Sequence, residues 1–160
     1  MLKHLLLIGL LFSGTCAAKD ITYSTYENGA AEYSVAIPDG ILYGQGESGN
    51  HMGQVFKSED MDAVLFTYGE GNIDDKGIDA LFFDALHPDD KAERVFVYQA
   101  KGDDWFVVTG FYKQEVFYQK TLVKKDSLLK TIYFTYPKAK KALYDKITSH
   151  IAKSFKNWYE

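Results

Sequence analysis

The chain has 160 residues, 25% of them charged and 16% aromatic, with 18 Lys and Arg against 22 Asp and Glu and one cysteine, Cys16. A net charge of −4 argues against a nucleic-acid-binding surface, which concentrates positive charge. One cysteine excludes an internal disulfide and a multi-thiolate metal site, and the length suits a single domain with a real hydrophobic core.

The first eighteen residues read as a cleavable export signal. Lys3 and the amino terminus are positive, Leu5 to Phe12 form an apolar run, and Ser13 to Ala18 are small, with cleavage expected after Ala18. The run is far shorter than the roughly 20 residues that span a bilayer, and no later segment is apolar enough to do so. Cys16 stands where a lipoprotein carries its lipid-modified cysteine, but Ser13 and Thr15 occupy the places such a signal gives to Leu and to Gly or Ala. The expected product is therefore residues 19–160, released into the periplasm or secreted rather than anchored through Cys16. Cleavage removes Lys3 and no acid, so the mature chain is one unit more negative.

Ile21 to Tyr26 alternates weakly. Tyr33, Val35 and Ile37 alternate with more polar neighbours, and Pro38-Asp39-Gly40 closes that strand in a turn. Gly44 to Gly53 holds four glycines and few apolar residues, which predicts a flexible loop. Residues 54–69 predict a hairpin, with the turn at Ser58-Glu59-Asp60 and with Val64, Phe66 and Tyr68 on one face.

Asp74 or Asp75 is expected to cap a helix in which Ile78, Leu81, Phe82, Ala85 and Leu86 recur at helical spacing, ended by Pro88. Strands follow. Val95 and Val97 are expected on one side, with Phe96 and Tyr98 opposite. Trp105 to Tyr112 is apolar on both faces, which predicts a central strand covered on both sides with Trp105 in the core. Val116 to Val123 and Leu128 to Tyr136 follow turns at Lys113-Gln114 and Lys125-Asp126. Leu143, Ile147, Ile151 and Phe155 then mark the stripe of a C-terminal helix. Successive strands joined by tight turns imply antiparallel pairing. The fold class is α+β: a mainly antiparallel twisted sheet of about six or seven strands, flanked by a mid-chain helix and a C-terminal helix.

Sequences that mimic catalytic motifs fail on context. Gly44-Gln-Gly46-Glu-Ser-Gly49 fits a dinucleotide fingerprint, but that chemistry needs a helix beginning at the third glycine, and Glu47 would oppose phosphate. Gly46-Glu-Ser-Gly49 echoes a serine-protease nucleophile, but no mature histidine lies upstream. His51, His87 and His150 are isolated in sequence, and Asp74-Asp75, Asp89-Asp90 and Asp103-Asp104 fall at turns, where Asp serves the backbone. The lysine-rich end, Lys124 to Lys156, reads as a solvated helix face and strand edges. Trp158 and Tyr159 are expected either to pack back or to offer a contact. No catalytic residue, metal or cofactor is assigned. Glycine-rich loops on a rigid sheet are where binding residues concentrate, so Asn50 and His51 are the candidates for contact with a ligand or partner.

Several segments together resemble a known group. These are Tyr33-Ser-Val-Ala-Ile-Pro38, Gly49-Asn-His-Met-Gly53-Gln-Val-Phe56-Lys-Ser58 before Asp62-Ala-Val-Leu65, Trp105-Phe-Val-Val-Thr-Gly110, Val116-Phe-Tyr118-Gln-Lys120, Tyr133-Phe-Thr-Tyr136-Pro137 and Ile151-Ala-Lys-Ser154-Phe155. Over most of residues 31–156 the chain resembles small secreted proteobacterial proteins with a PsbP-like α/β/α fold. The resemblance implies a non-enzymatic binding or assembly module and brings no catalytic residues. The expected function is an exported, non-catalytic module that binds a protein or small ligand, with no nucleic acid and no membrane span. The rival readings are an immunity-type neutraliser of a secreted toxin, and a hydrolase with a site near residues 44–53.

Overall fold

The computed structural model describes residues 20–123 and 128–158. The expected signal, Cys16, the turn at Lys125-Asp126 and Tyr159 lie outside them. Ten strands and two α-helices follow in the order β1 (Tyr23–Asn28), β2 (Tyr33–Pro38), β3 (Tyr43–Glu47), β4 (Gly53–Lys57), β5 (Val64–Gly71), α1 (Ile78–Leu86), β6 (Arg94–Lys101), β7 (Trp105–Tyr112), β8 (Glu115–Leu122), β9 (Leu128–Pro137), α2 (Lys141–Ser154) and β10 (Lys156–Asn157). Seven strands form one antiparallel sheet in the order β3-β4-β5-β9-β8-β7-β6. A smaller antiparallel sheet has the order β1-β2-β10.

The alternation of β9 explains its central place. Ile132, Phe134 and Tyr136 point to one face and are buried. On that face they pack with Leu65 from β5, Tyr33 and Val35 from β2, and Ile147 and Ile151 from α2. Each such side chain fully removed from water contributes about 1.5–3 kcal/mol. Phe134 and Tyr144 meet edge to face with centroids 5.7 Å apart, and so do Tyr33 and Phe155. The Ala36 amide donates to Ser154 Oγ at 2.9 Å, which ties the small sheet to the end of α2. α1 sits on the opposite face of the large sheet, where Phe82 and Phe106 rings pack 5.8 Å apart.

The architecture is the α+β one expected, and several local expectations are corrected. Residues 43–47 form an edge strand that runs into the stretch 44–53 expected to be a loop, because their backbone pairs with β4. The cap of α1 is Gly77, with no side-chain cap bond. Asn72 Oδ1 instead accepts the Lys76 amide at 3.0 Å and closes a turn around Asp74 and Asp75, so the helix starts later. The stripe of α2 is Tyr144, Ile147, Thr148 and Ile151, and Leu143 is exposed. A four-residue repeat drifts about 40° per step on a 3.6-residue helix, so the three-residue step to Tyr144 returns the stripe to the sheet. The small sheet is an element that strand periodicity did not separate from the large one.

Candidate functional site

Along β7, Trp105, Val107, Thr109 and Phe111 point to the face that carries α2. Across the ladder they pair with Leu122, Lys120, Tyr118 and Val116 of β8. The helix packs on this face mainly over β8 and β9. Lys120 Nζ donates to the carbonyls of Ala152 and Phe155 at 2.8 and 3.2 Å, and Tyr136 Oη donates to Asp145 Oδ1 at 2.9 Å. Beyond that line the face is only partly covered: Val107 is buried, Trp105, Thr109 and Phe111 are half-buried, and Val97 and Tyr98 of β6 are exposed. The result is a groove of about 910 Å³ between α2 and the sheet. Its floor is apolar, and Asp145, Ser149, Ala152 and Lys153 of α2 form its wall. Trp105 is thus half-buried at the floor, and β7 is covered on one face and only partly on the other. That corrects the expectation of a strand enclosed on both sides.

The far rim is the edge strand β6. Its register steps from Phe96 opposite Gly110 to Tyr98 opposite Thr109, so Val97 is the extra residue of a bulge. Bulges re-aim side chains. Here both Val97 and Tyr98 border the groove, rather than falling on opposite sides as strict alternation predicts. Val95, Val97 and Tyr98 are each about 60% exposed, an unusual apolar load for an edge strand. Gly110 makes the bulge possible, because a Cβ there would lie 2.0 Å from the Val95 carbonyl oxygen.

Several polar groups around the groove are already hydrogen-bonded. Asp145 also pairs with Lys141, Thr148 Oγ1 donates to the Tyr144 carbonyl at 2.7 Å, and Thr109 Oγ1 donates to the Phe117 carbonyl at 2.6 Å. Burial, with Tyr98 nearby, pushes the Tyr118 hydroxyl up to about 12, and burial raises Tyr136 as well. Both phenols stay neutral near pH 7. The arrangement offers apolar contact and fixed hydrogen bonds, which is the chemistry of binding.

The candidates Asn50 and His51 lie at the opposite edge of the sheet, in the turn between β3 and β4. Asn50 Oδ1 accepts from Ser48 Oγ at 2.7 Å and from the Met52 amide at 3.2 Å. His51 has φ 57°, and its ring projects outward with Nδ1 3.1 Å from Glu47 Oε2. Gly46 takes φ 89° in strand β3, where a dinucleotide site would need a helix to follow. His87 stacks on Phe83, and His150 stacks on Tyr23. Asp90 pairs with Arg94 through both of its oxygens, at 2.6 and 2.9 Å. Among the described residues no group of three or more His, Cys, Asp and Glu is placed to hold a metal ion, and no helix is long and apolar enough to cross a membrane. Trp158 is exposed, its amide donating to the Glu32 carbonyl at 3.1 Å.

Sequence reasoning missed the groove. The available signal was the run of apolar residues on β6 next to a strand apolar on both faces. It read as core because nothing local says how far α2 reaches.

No family model matches the chain, and no curated protein matches it. Among solved structures, the chain is similar to the solution structure of cyanobacterial PsbP (CyanoP) from Synechocystis sp. PCC 6803. The TM-score is 0.59 and the identity 13%, over 91% of this chain and 98% of that one. At that identity the likeness is one of fold: the chain has a PsbP-like α+β fold.

Proposed function

We propose that the protein is an exported, non-catalytic binding module whose main contact surface is the groove between α2 and strands β6 to β8. The observation that carries this reading is the partly open apolar face over β6 and β7, several of whose bordering polar groups, Tyr136, Asp145 and Thr148 among them, are already hydrogen-bonded rather than poised for acid–base work. The PsbP-like fold supports a binding role by analogy, and the charged, apolar and small segments of residues 1–18 support export. Asn50 and His51 form a second, smaller contact in this proposal. His51 holds a strained left-handed backbone while its ring stays 74% exposed, and such strain concentrates at functional positions.

The test uses Val97→Glu on the rim and Ser149→Trp on the wall, both at exposed positions. The mature wild type should retain a binder from periplasmic extract that both variants fail to retain at unchanged melting temperature. Equal retention by all three would move the contact surface elsewhere.

A further inference from the structure

Resting on the reading of the groove as the binding surface, we infer its ligand class: a free, single-chain amphiphile with an anionic head, such as a long-chain carboxylate. Three observations converge. First, β7 is paired on both sides, with β6 and with β8, so the floor itself presents side chains, and the free backbone edge beside it is the outer edge of β6 at the rim, where the bulge at Val97 breaks regular pairing. An extended peptide laid on Trp105, Val107, Phe111, Tyr118 and Leu122 would leave its own backbone groups unpaired over an apolar surface, at a cost of a few kcal/mol per group. A hydrocarbon chain brings no such groups. Second, a volume of about 910 Å³ falls in the range of small-ligand sites, roughly 300–1,000 Å³, and the strand-long floor is elongated.

Third, the charge at the border favours an anion. Three lysines, Lys120, Lys141 and Lys153, line the groove against two acids, Asp104 and Asp145, in a chain whose net charge is −4. Asp145 is engaged by Lys141 and by the Tyr136 hydroxyl, and Lys120 reaches the last carbonyls of α2. Lys153 stands exposed on the wall in the last turn of α2 and supplies the cation for the head group. The chain of the amphiphile then runs along β7, with Val97 and Tyr98 closing over its open side.

The experiment uses the mature chain, stripped of bound lipid, with Trp158→Phe so that Trp105 is the sole tryptophan. Dodecanoate, added below its micellar concentration, should shift Trp105 emission to the blue, and a brominated chain should quench it. Dodecyl maltoside and dodecyltrimethylammonium should bind at least tenfold more weakly. Lys153→Glu should remove the preference for dodecanoate while leaving maltoside binding unchanged, and Ser149→Trp should weaken all chains. An unmoved Trp105, equal affinity for neutral and anionic heads, or co-sedimentation with anionic phospholipid vesicles in place of monomer binding would each overturn the inference. If amphiphiles fail while Val97→Glu and Ser149→Trp still lose the binder from extract, the groove reading stands and only its ligand class falls.

Discussion

Asn28, almost fully buried at the end of β1, donates from Nδ2 to the backbone carbonyl of His51, 3.0 Å away in the β3–β4 turn of the other sheet. The same side chain accepts the Ala31 amide at 2.8 Å and donates to Tyr26 Oη at 3.0 Å. One amide thus joins the turn of the small sheet to the turn that carries the contact candidates. Asn28→Ala leaves a buried amide and a carbonyl unpaired, so it should cost about 1–3 kcal/mol in urea melts. Amide exchange in residues 48–53 should quicken. A loss under about 0.5 kcal/mol with unchanged exchange would mean the two turns are held independently.

The contact role proposed for Asn50 and His51 can be separated from their turn roles. His51→Gly should leave stability within about 1 kcal/mol, because relief of the left-handed strain offsets the greater chain entropy of glycine. Asn50→Ala loses the bonds to Ser48 and Met52 and should cost about 1 kcal/mol. Together, Asn50→Ala and His51→Ala should reduce retention of the binder from extract. Full retention would leave these residues with a turn role alone.

Gly110 allows the close approach of β6 at the rim. A methyl group there meets the Val95 backbone, so Gly110→Ala should push β6 away from β7 and destabilise by about 1–3 kcal/mol. Exchange should rise first in residues 95–100. Gly49→Ala, where nothing lies within 4 Å of the new methyl, is the control. Equal behaviour of the two would show that β6 yields without cost.

The acid limb of stability should depend on Asp60. Lys140, aided by the Ser58 hydroxyl at 2.6 Å, holds the Asp60 carboxyl well below the usual carboxylate range. A depressed carboxylate stabilises the fold above its unfolded value, near pH 3.9, and loses that contribution as pH falls through the folded one. The pair is exposed, so the effect should be small and weakened by salt. Asp60→Asn should flatten the decline of melting temperature below about pH 4, and an unchanged slope would assign the acid limb to other groups.

Export has a direct readout. The intact mass of protein from its native periplasm should match a chain that starts at Lys19. Retained residues 1–18 would contradict the signal reading, and a diacylglyceryl adduct on Cys16 would convert the released protein to an anchored one.

Local patterning was enough for most elements. Tyr33, Val35 and Ile37 alternate because β2 buries that side, and the turn at Lys113-Gln114 marks the β7–β8 hairpin by its polar pair. Period and turn chemistry are short-range, so antiparallel pairing of successive strands and the two helices could be read directly from the residues, but the pairing of β9 with β5 and the separate small sheet could not. The groove could not. Whether the apolar side of Trp105, Val107 and Phe111 is covered depends on α2 stopping over β8, where Lys120 meets the carbonyls of Ala152 and Phe155 across a separation of 32 and 35 residues. The bulge that turns Val97 and Tyr98 to the same side depends on the missing Cβ of Gly110 in the neighbouring strand. An apolar side chain looks the same in sequence whether its face is filled or open, and only the tertiary structure decided which of these faces α2 left uncovered.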